Sequence, residues 1–182
     1  MTLTGGDFTP LCADLDAALG ELASAAERAP DLWTRGRPGK WTAGQHVAHV
    51  GVSMTVMADA FEVAEPALRA GSLPPPPPRG FLQSLFVRFV VEQGHMPMGG
   101  KAVTASLPPD RPERDATLGA LRRDAGRLRA LGERLSPAEC HRLWISNPFR
   151  TSWHYRLPES VRVHAVHARH HAKMIGEIGP EG

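Results

Sequence analysis

A chain of 182 residues, 42% hydrophobic and 22% charged, has the size and composition of one globular domain covering 1–182. Its formal charge of +2 comes from arginines spread along the chain, which excludes the clustered basic face of a nucleic-acid binder. The start, MTLTGGDFTP, has no basic and apolar leader pattern, the apolar stretch FLQSLFVRFVV is too short and too interrupted to span a bilayer, and Cys12 and Cys140 make no disulfide framework. A cytoplasmic protein with two part-buried thiols and neither a membrane nor a nucleic-acid partner is expected.

The first helix is predicted over 10–28, with Thr9 as N-cap, Pro10 at the first helical position and Leu11, Leu15, Leu19 and Leu22 in one apolar stripe. GRPGKW then punctuates the chain. A second helix starts at Thr42, where TAGQ supplies a capping box with Gln45. Its inner face carries His46, His49, Val50, Met54, Met57 and Phe61. The five prolines Pro74 to Pro78 cannot be helix interior and favour an extended polyproline segment of ~15 Å. They read as a stiff crossover, with a docking motif for SH3-type domains as the competing role. FLQSLFVRFVVEQG is a short apolar helix, and HMPMGGKAVTASLPPD a long loop.

A third long helix is predicted over 112–135, with Leu118, Leu121, Ala125, Leu128, Leu131 and Leu135 at helical spacing and Arg122, Arg123, Arg127, Arg129 and Arg134 on a solvated face. The last begins near Pro158 and stops before Gly179-Pro180. Strand signals are nearly absent. The fold class is therefore all-α: a four-helix bundle with a long crossover and one short extra apolar helix.

Of nine histidines, six fall in two clusters: His46 and His49 on the second helix, and His164, His167, His170 and His171 on the last. At 100° per residue His164, His167 and His171 share one stripe with Ser160 and Met174, while His170 points away. Residues four apart have Cβ atoms about 5–6 Å from each other, so His167 and His171 can converge on an ion with metal–nitrogen bonds near ~2.1 Å. A third ligand must come from another helix, and His49 lies on a face that has to point inwards. Three imidazoles leave positions open to water or substrate, the pattern of a catalytic site. Geometry alone does not choose between His164/His167 and His167/His171, nor between His46 and His49.

KWTAGQHVAHV followed by HARHHAKMI resembles the DinB/YfiT-like superfamily of small bacterial four-helix-bundle proteins. Members carry a tryptophan before a helix with one ligand histidine, then an HxxxH followed by a basic or polar pair and Gln-Ile in the last helix. Trp41-Thr42 matches the start of the second helix, His49 the first ligand, His167 and His171 the HxxxH, and Ile175 the isoleucine. SNPFRTSW resembles the loop that introduces the last helix. The resemblance implies a DinB-like bundle with His49, His167 and His171 as ligands of a zinc or nickel ion, and His46 and His164 as supporting neighbours. Two positions depart from the pattern: Met174 replaces the glutamine, and Asn147 precedes Pro148 where a His-Pro and a glycine are usual.

Characterised relatives of the resembling family include transferases and isomerases that use low-molecular-weight thiols. A metal-dependent hydrolase needs a base near the ion, which HExxH proteins build into the ligand helix. Here Ala168, Arg169, His170, Ala172 and Lys173 surround the ligands without a carboxylate, and Glu159 lies more than two turns earlier. A coordinated thiol is deprotonated by coordination itself. The expectation is thus a divalent ion that activates a thiol for attack on a small-molecule electrophile, with Arg169 and Lys173 available to an anionic thiol. A hydrolase and a non-catalytic metal-binding protein are the alternatives, and a homodimer is the expected assembly.

Overall fold

The computed structural model describes residues 8–28, 31–36, 38–96 and 102–178. Four long helices form the body: α1 (Thr9–Ala26), α2 (Ala43–Arg69), α4 (Arg114–Glu133) and α6 (Leu157–Gly176). Between them lie α3 (Phe81–Phe86), which continues as a π-helical turn over Val87–Glu92, a single 3₁₀ turn at Thr104–Ser106, the short α5 (Pro137–Arg142) and a hairpin of β1 (Trp144–Ser146) and β2 (His154–Arg156). The expected all-α bundle is the observed one.

Cross-helix links fix the topology. Asp14 pairs with Arg162 and Arg169, Glu21 with Arg169, and the Arg28 guanidinium donates to the Ile175 carbonyl at 3.3 Å, so α1 and α6 run parallel. Thr55 meets Asp124, Asp59 meets Arg127 and Glu65 meets Arg134, so α2 and α4 also run parallel. The ion pairs Asp16–Arg129 and Glu27–Arg114 set α1 antiparallel to α4. The result is an up-down-down-up bundle that needs one long crossover, from α2 to α4. Its interior is apolar and closely packed around Leu15, Leu22, Met54, Phe61, Leu121, Leu128 and Ile175.

Capping explains the boundaries. Thr42 accepts from Gln45 N at 3.1 Å and Gln45 Oε1 accepts from Thr42 N at 3.0 Å, the expected capping box. At α1 the expectation shifts by a residue: Phe8 holds the N-cap position, Thr9 is already helical, and Leu11 N and Cys12 N bond back to Phe8 O. Glu113 caps α4 through Asp115 N and Ala116 N, starting that helix two residues later than Pro112. The predicted stop at Gly179-Pro180 lies outside the described residues.

The arginine face of α4 is braced rather than merely solvated. Arg127 reaches Asp59, Glu62 and Asp124, and Arg134 reaches Glu65. The hairpin, α5 and the 3₁₀ turn inside the expected long loop were not foreseen. The hairpin pairs Ile145 with Tyr155, and its three-residue strands are too short to show alternation. In α5, Ser136 and Glu139 do form a capping box, on a helix of 6 residues.

In the proline run, Leu73, Pro76 and Arg79 are half-buried while Pro74, Pro75, Pro77 and Pro78 are exposed. That period of three is the repeat of a polyproline helix laid on the bundle by one ridge. Trp144 Nε1 donates to Pro74 O at 2.7 Å, and Arg79 pairs with Glu159 at 2.6 Å. Gln83 Nε2 donates to His154 O at 2.5 Å, fastening α3 to the hairpin. Among the described residues, the helix long and apolar enough by composition to cross a membrane is α2, and 56% of its apolar window is buried inside the bundle.

Candidate metal centre

The start of α2 is set against Trp33. Gly44 N donates to Trp33 O at 2.9 Å, and a Cβ at Gly44 would stand 2.7 Å from the Trp33 ring. This close approach needs glycine and places the first turns of α2 so that His46 and His49 face α6. Both are buried, as is His171, while His167 is half-buried.

The four rings form one hydrogen-bonded set. His49 Nδ1–H donates to the Ser106 carbonyl at 2.6 Å, which leaves Nε2 as a bare acceptor. His49 Nε2 stands 3.2 Å from His167 Nε2, and His167 Nε2 stands 3.0 Å from His171 Nε2. On the far side of His171, Nδ1 meets His46 Nδ1 at 2.8 Å, and one proton between them satisfies both atoms. His46 therefore orients His171 and turns its Nε2 towards the other two. Trp41 covers the cluster, its ring centroid 4.9 Å from His49, 5.5 Å from His46 and 6.2 Å from His171.

Burial, then the neighbouring imidazoles, pushes the pKa of His46 down to about 4 and that of His171 further below its usual range. His167 is also held well below 6.5, first by burial and then by His49 and His164. All are neutral at pH 7, the form that ligates metals.

These residues fit a cation. Ligand atoms of His49, His167 and His171 all lie within 4.8 Å of one another. Around a tetrahedral ion with bonds near ~2.1 Å, nitrogens stand roughly 3.4 Å apart, close to the spacings seen. With His49 Nε2 bare, and His171 Nε2 bare when its Nδ1–H serves His46, at most one proton on His167 has two acceptors to satisfy. A divalent ion shared by three lone pairs resolves that excess. No ion pair or hydrogen bond joins a carboxylate to any of these four imidazoles among the described residues.

The structure brings together His46, His49, His167 and His171, with His46 in hydrogen-bond contact with His171. His164 is different. It is 3% exposed, yet neither ring nitrogen has a hydrogen-bond partner among the described residues, and neither has Ser160 Oγ one turn earlier. An unmade bond of this kind costs about 1–3 kcal/mol. Burial pushes the His164 pKa down to about 4, so its ring is neutral. His170 does not simply point away: it is half-buried, its ring centroid 5.3 Å from that of His171. Arg169 is engaged with Asp14 and Glu21, which removes it as a free cation for an anionic thiol.

Sequence reasoning missed Ser106 and the covering role of Trp41. A backbone carbonyl leaves no residue-type signal. Trp41, immediately before the N-cap, carries no sequence signal for a covering role beyond its match to the start of the second helix.

The family model of the DinB superfamily matches residues 14–175. No curated protein and no solved structure matches the chain.

Proposed function

The chain belongs to the DinB superfamily, and from that premise we propose that it is a metal-dependent transferase or isomerase of the thiol-using kind, acting on a small electrophile. The observation that carries this reading is the convergence of three imidazole nitrogens with no carboxylate bonded to them among the described residues. A zinc or nickel ion bound there supplies the positive charge that lowers the pKa of a coordinated thiol. The ligand roles fall to His49, His167 and His171. His46 holds the orientation of His171, and Ser106 fixes the tautomer of His49. Trp41 shields one side, so a ligand approaches from the half-buried side of His167.

The chain's own thiols do not fill the nucleophile's role. Cys12 and Cys140 are buried, and burial raises both pKa values, that of Cys12 to about 11. Neither belongs to the histidine cluster. The thiol is therefore a separate small molecule. Hydrolysis is the weaker reading because it needs a general base near the ion, and the partners of the imidazoles are other imidazoles and a carbonyl.

The test is elemental analysis of untagged protein beside His49→Ala and His171→Ala. About one zinc or nickel per chain in the wild type, lost in both variants, supports the site and leads to thiol-dependence assays with small electrophiles. A wild type that takes up neither metal after incubation overturns the reading.

A further inference from the structure

Ser160 and His164 stand apart in the interior. Several other buried polar side chains are tied: His49 to Ser106, Ser53 to the His49 carbonyl, Gln83 to the His154 carbonyl and Asp124 to Thr55. Ser160 is fully buried and His164 nearly so, and all three of their polar atoms lack a partner among the described residues. They are also four residues apart on one helix, so they face the same way. A hydroxyl in a helix commonly bonds back to the carbonyl four residues earlier, and no such bond satisfies Ser160 here.

The pair adjoins the metal centre. Ser160, His164, His167 and His171 fall at i, i+4, i+7 and i+11, one stripe of α6. His164 precedes His167 by about one turn on the same face of α6. Buried polar atoms in this state are satisfied in practice by an ordered water or a ligand.

We propose that Ser160 and His164 form a second subsite, next to the metal centre, that holds a neutral oxygen group. The hydroxyl and the imidazole each offer a donor and an acceptor and no net charge. They bring no cation to neutralise an anion, so the complement that leaves no buried charge unpaired is a water, or the carbonyl or hydroxyl oxygen of a substrate. Read with the function proposed above, on which this step rests, the subsite narrows the electrophile to a neutral carbonyl compound. His164 and Ser160 would hold its oxygen while its electrophilic carbon lies towards His167. They are positioning residues in that scheme.

The experiment is NMR on untagged, zinc-loaded full-length protein with ¹⁵N-labelled histidine, titrated with acetamide as a neutral carbonyl probe and acetate as its anionic counterpart. The expected result is a slowly exchanging His164 ring N–H with a cross-peak to bound water, lost in Ser160→Ala. Acetamide then shifts this resonance saturably, whereas acetate does not. A water cross-peak that acetamide never displaces supports the oxygen site and assigns it to water alone, which overturns the carbonyl assignment. A His164 ring without a water cross-peak and unmoved by either probe overturns the subsite. A preference for acetate overturns its neutral character.

Zinc content is measured in parallel. Ser160→Ala and His164→Leu should each retain wild-type zinc, since neither side chain is a ligand. Absence of zinc from the wild type would mark a failure of the functional reading instead. In that case the same spectra on metal-free protein still test the oxygen site.

Discussion

At the scale of single residues, the division of labour between His46 and His49 rests on a few ångströms. Both sit on the buried face of α2, and their spacing could not say which one ligates; the resemblance chose His49. In the structure His49 spends Nδ1 on Ser106 and presents Nε2 to His167, whereas His46 meets His171 through Nδ1. Replacing His46 by Ala should weaken zinc affinity by about 10–100-fold without removing a ligand, read by competition against a chelating dye. An unchanged affinity would contradict the orienting role. Gly44 is a second point of leverage. Its replacement by Ala drives a Cβ into the Trp33 ring and carbonyl, which should destabilise the fold by about 1–3 kcal/mol in urea denaturation. Neither the Ser106 carbonyl nor the need for glycine at 44 was legible, because each depends on how another segment of the chain packs against α2.

At the scale of elements, the long helices were legible because each repeats its apolar spacing over several turns and α2 opens with a capping box. The hairpin and α5 were not. Trp144–Ser146 and His154–Arg156 are three residues each, too few for a period of two to declare itself. Their cohesion comes from Ile145 opposite Tyr155, and from Asn147, whose Oδ1 accepts from Phe149 N. Between α2 and α6, the candidate metal centre is the seam. An ion held by His49, His167 and His171 would join side chains more than a hundred residues apart in sequence, and would therefore bind the folded chain and not the unfolded one. Free zinc at a thousandfold excess over its dissociation constant should stabilise the protein by about 4 kcal/mol. The rise in melting temperature should vanish in His49→Ala. On the α2–α4 side, Thr55 donates to the fully buried Asp124 at 2.5 Å. Thr55→Val should cost about 1–3 kcal/mol by weakening the support of that carboxylate, measured by the same denaturation.

For the whole molecule, the buried imidazoles make stability sensitive to acid. His46 and His164 have folded-state values of about 4 against 6.5 for a free side chain. Between those values the unfolded chain binds more protons than the folded one. Stability is therefore complete above about pH 6.5 and falls as pH drops towards 4, by up to about 1.4 kcal/mol per pH unit for each group. Urea midpoints of metal-free protein from pH 7.5 to 4.5 should fall steadily, and His164→Leu should flatten part of that slope. The parallel pairing of α2 with α4 follows from the long proline-bearing connection foreseen in the sequence, although its direction became visible only through the Asp59–Arg127 and Glu65–Arg134 pairs. That connection also behaves as a screw thread. With three residues per turn, each inserted residue rotates everything beyond it by about 120° and advances it by about 3.1 Å. One extra proline would carry Arg79 off the ridge that faces the bundle and away from Glu159. Three would restore its phase but overshoot by about 9 Å. The length of the run is thus set by pitch as well as by distance, so a spacer of equal span but without that pitch would bridge the gap and still misalign α3.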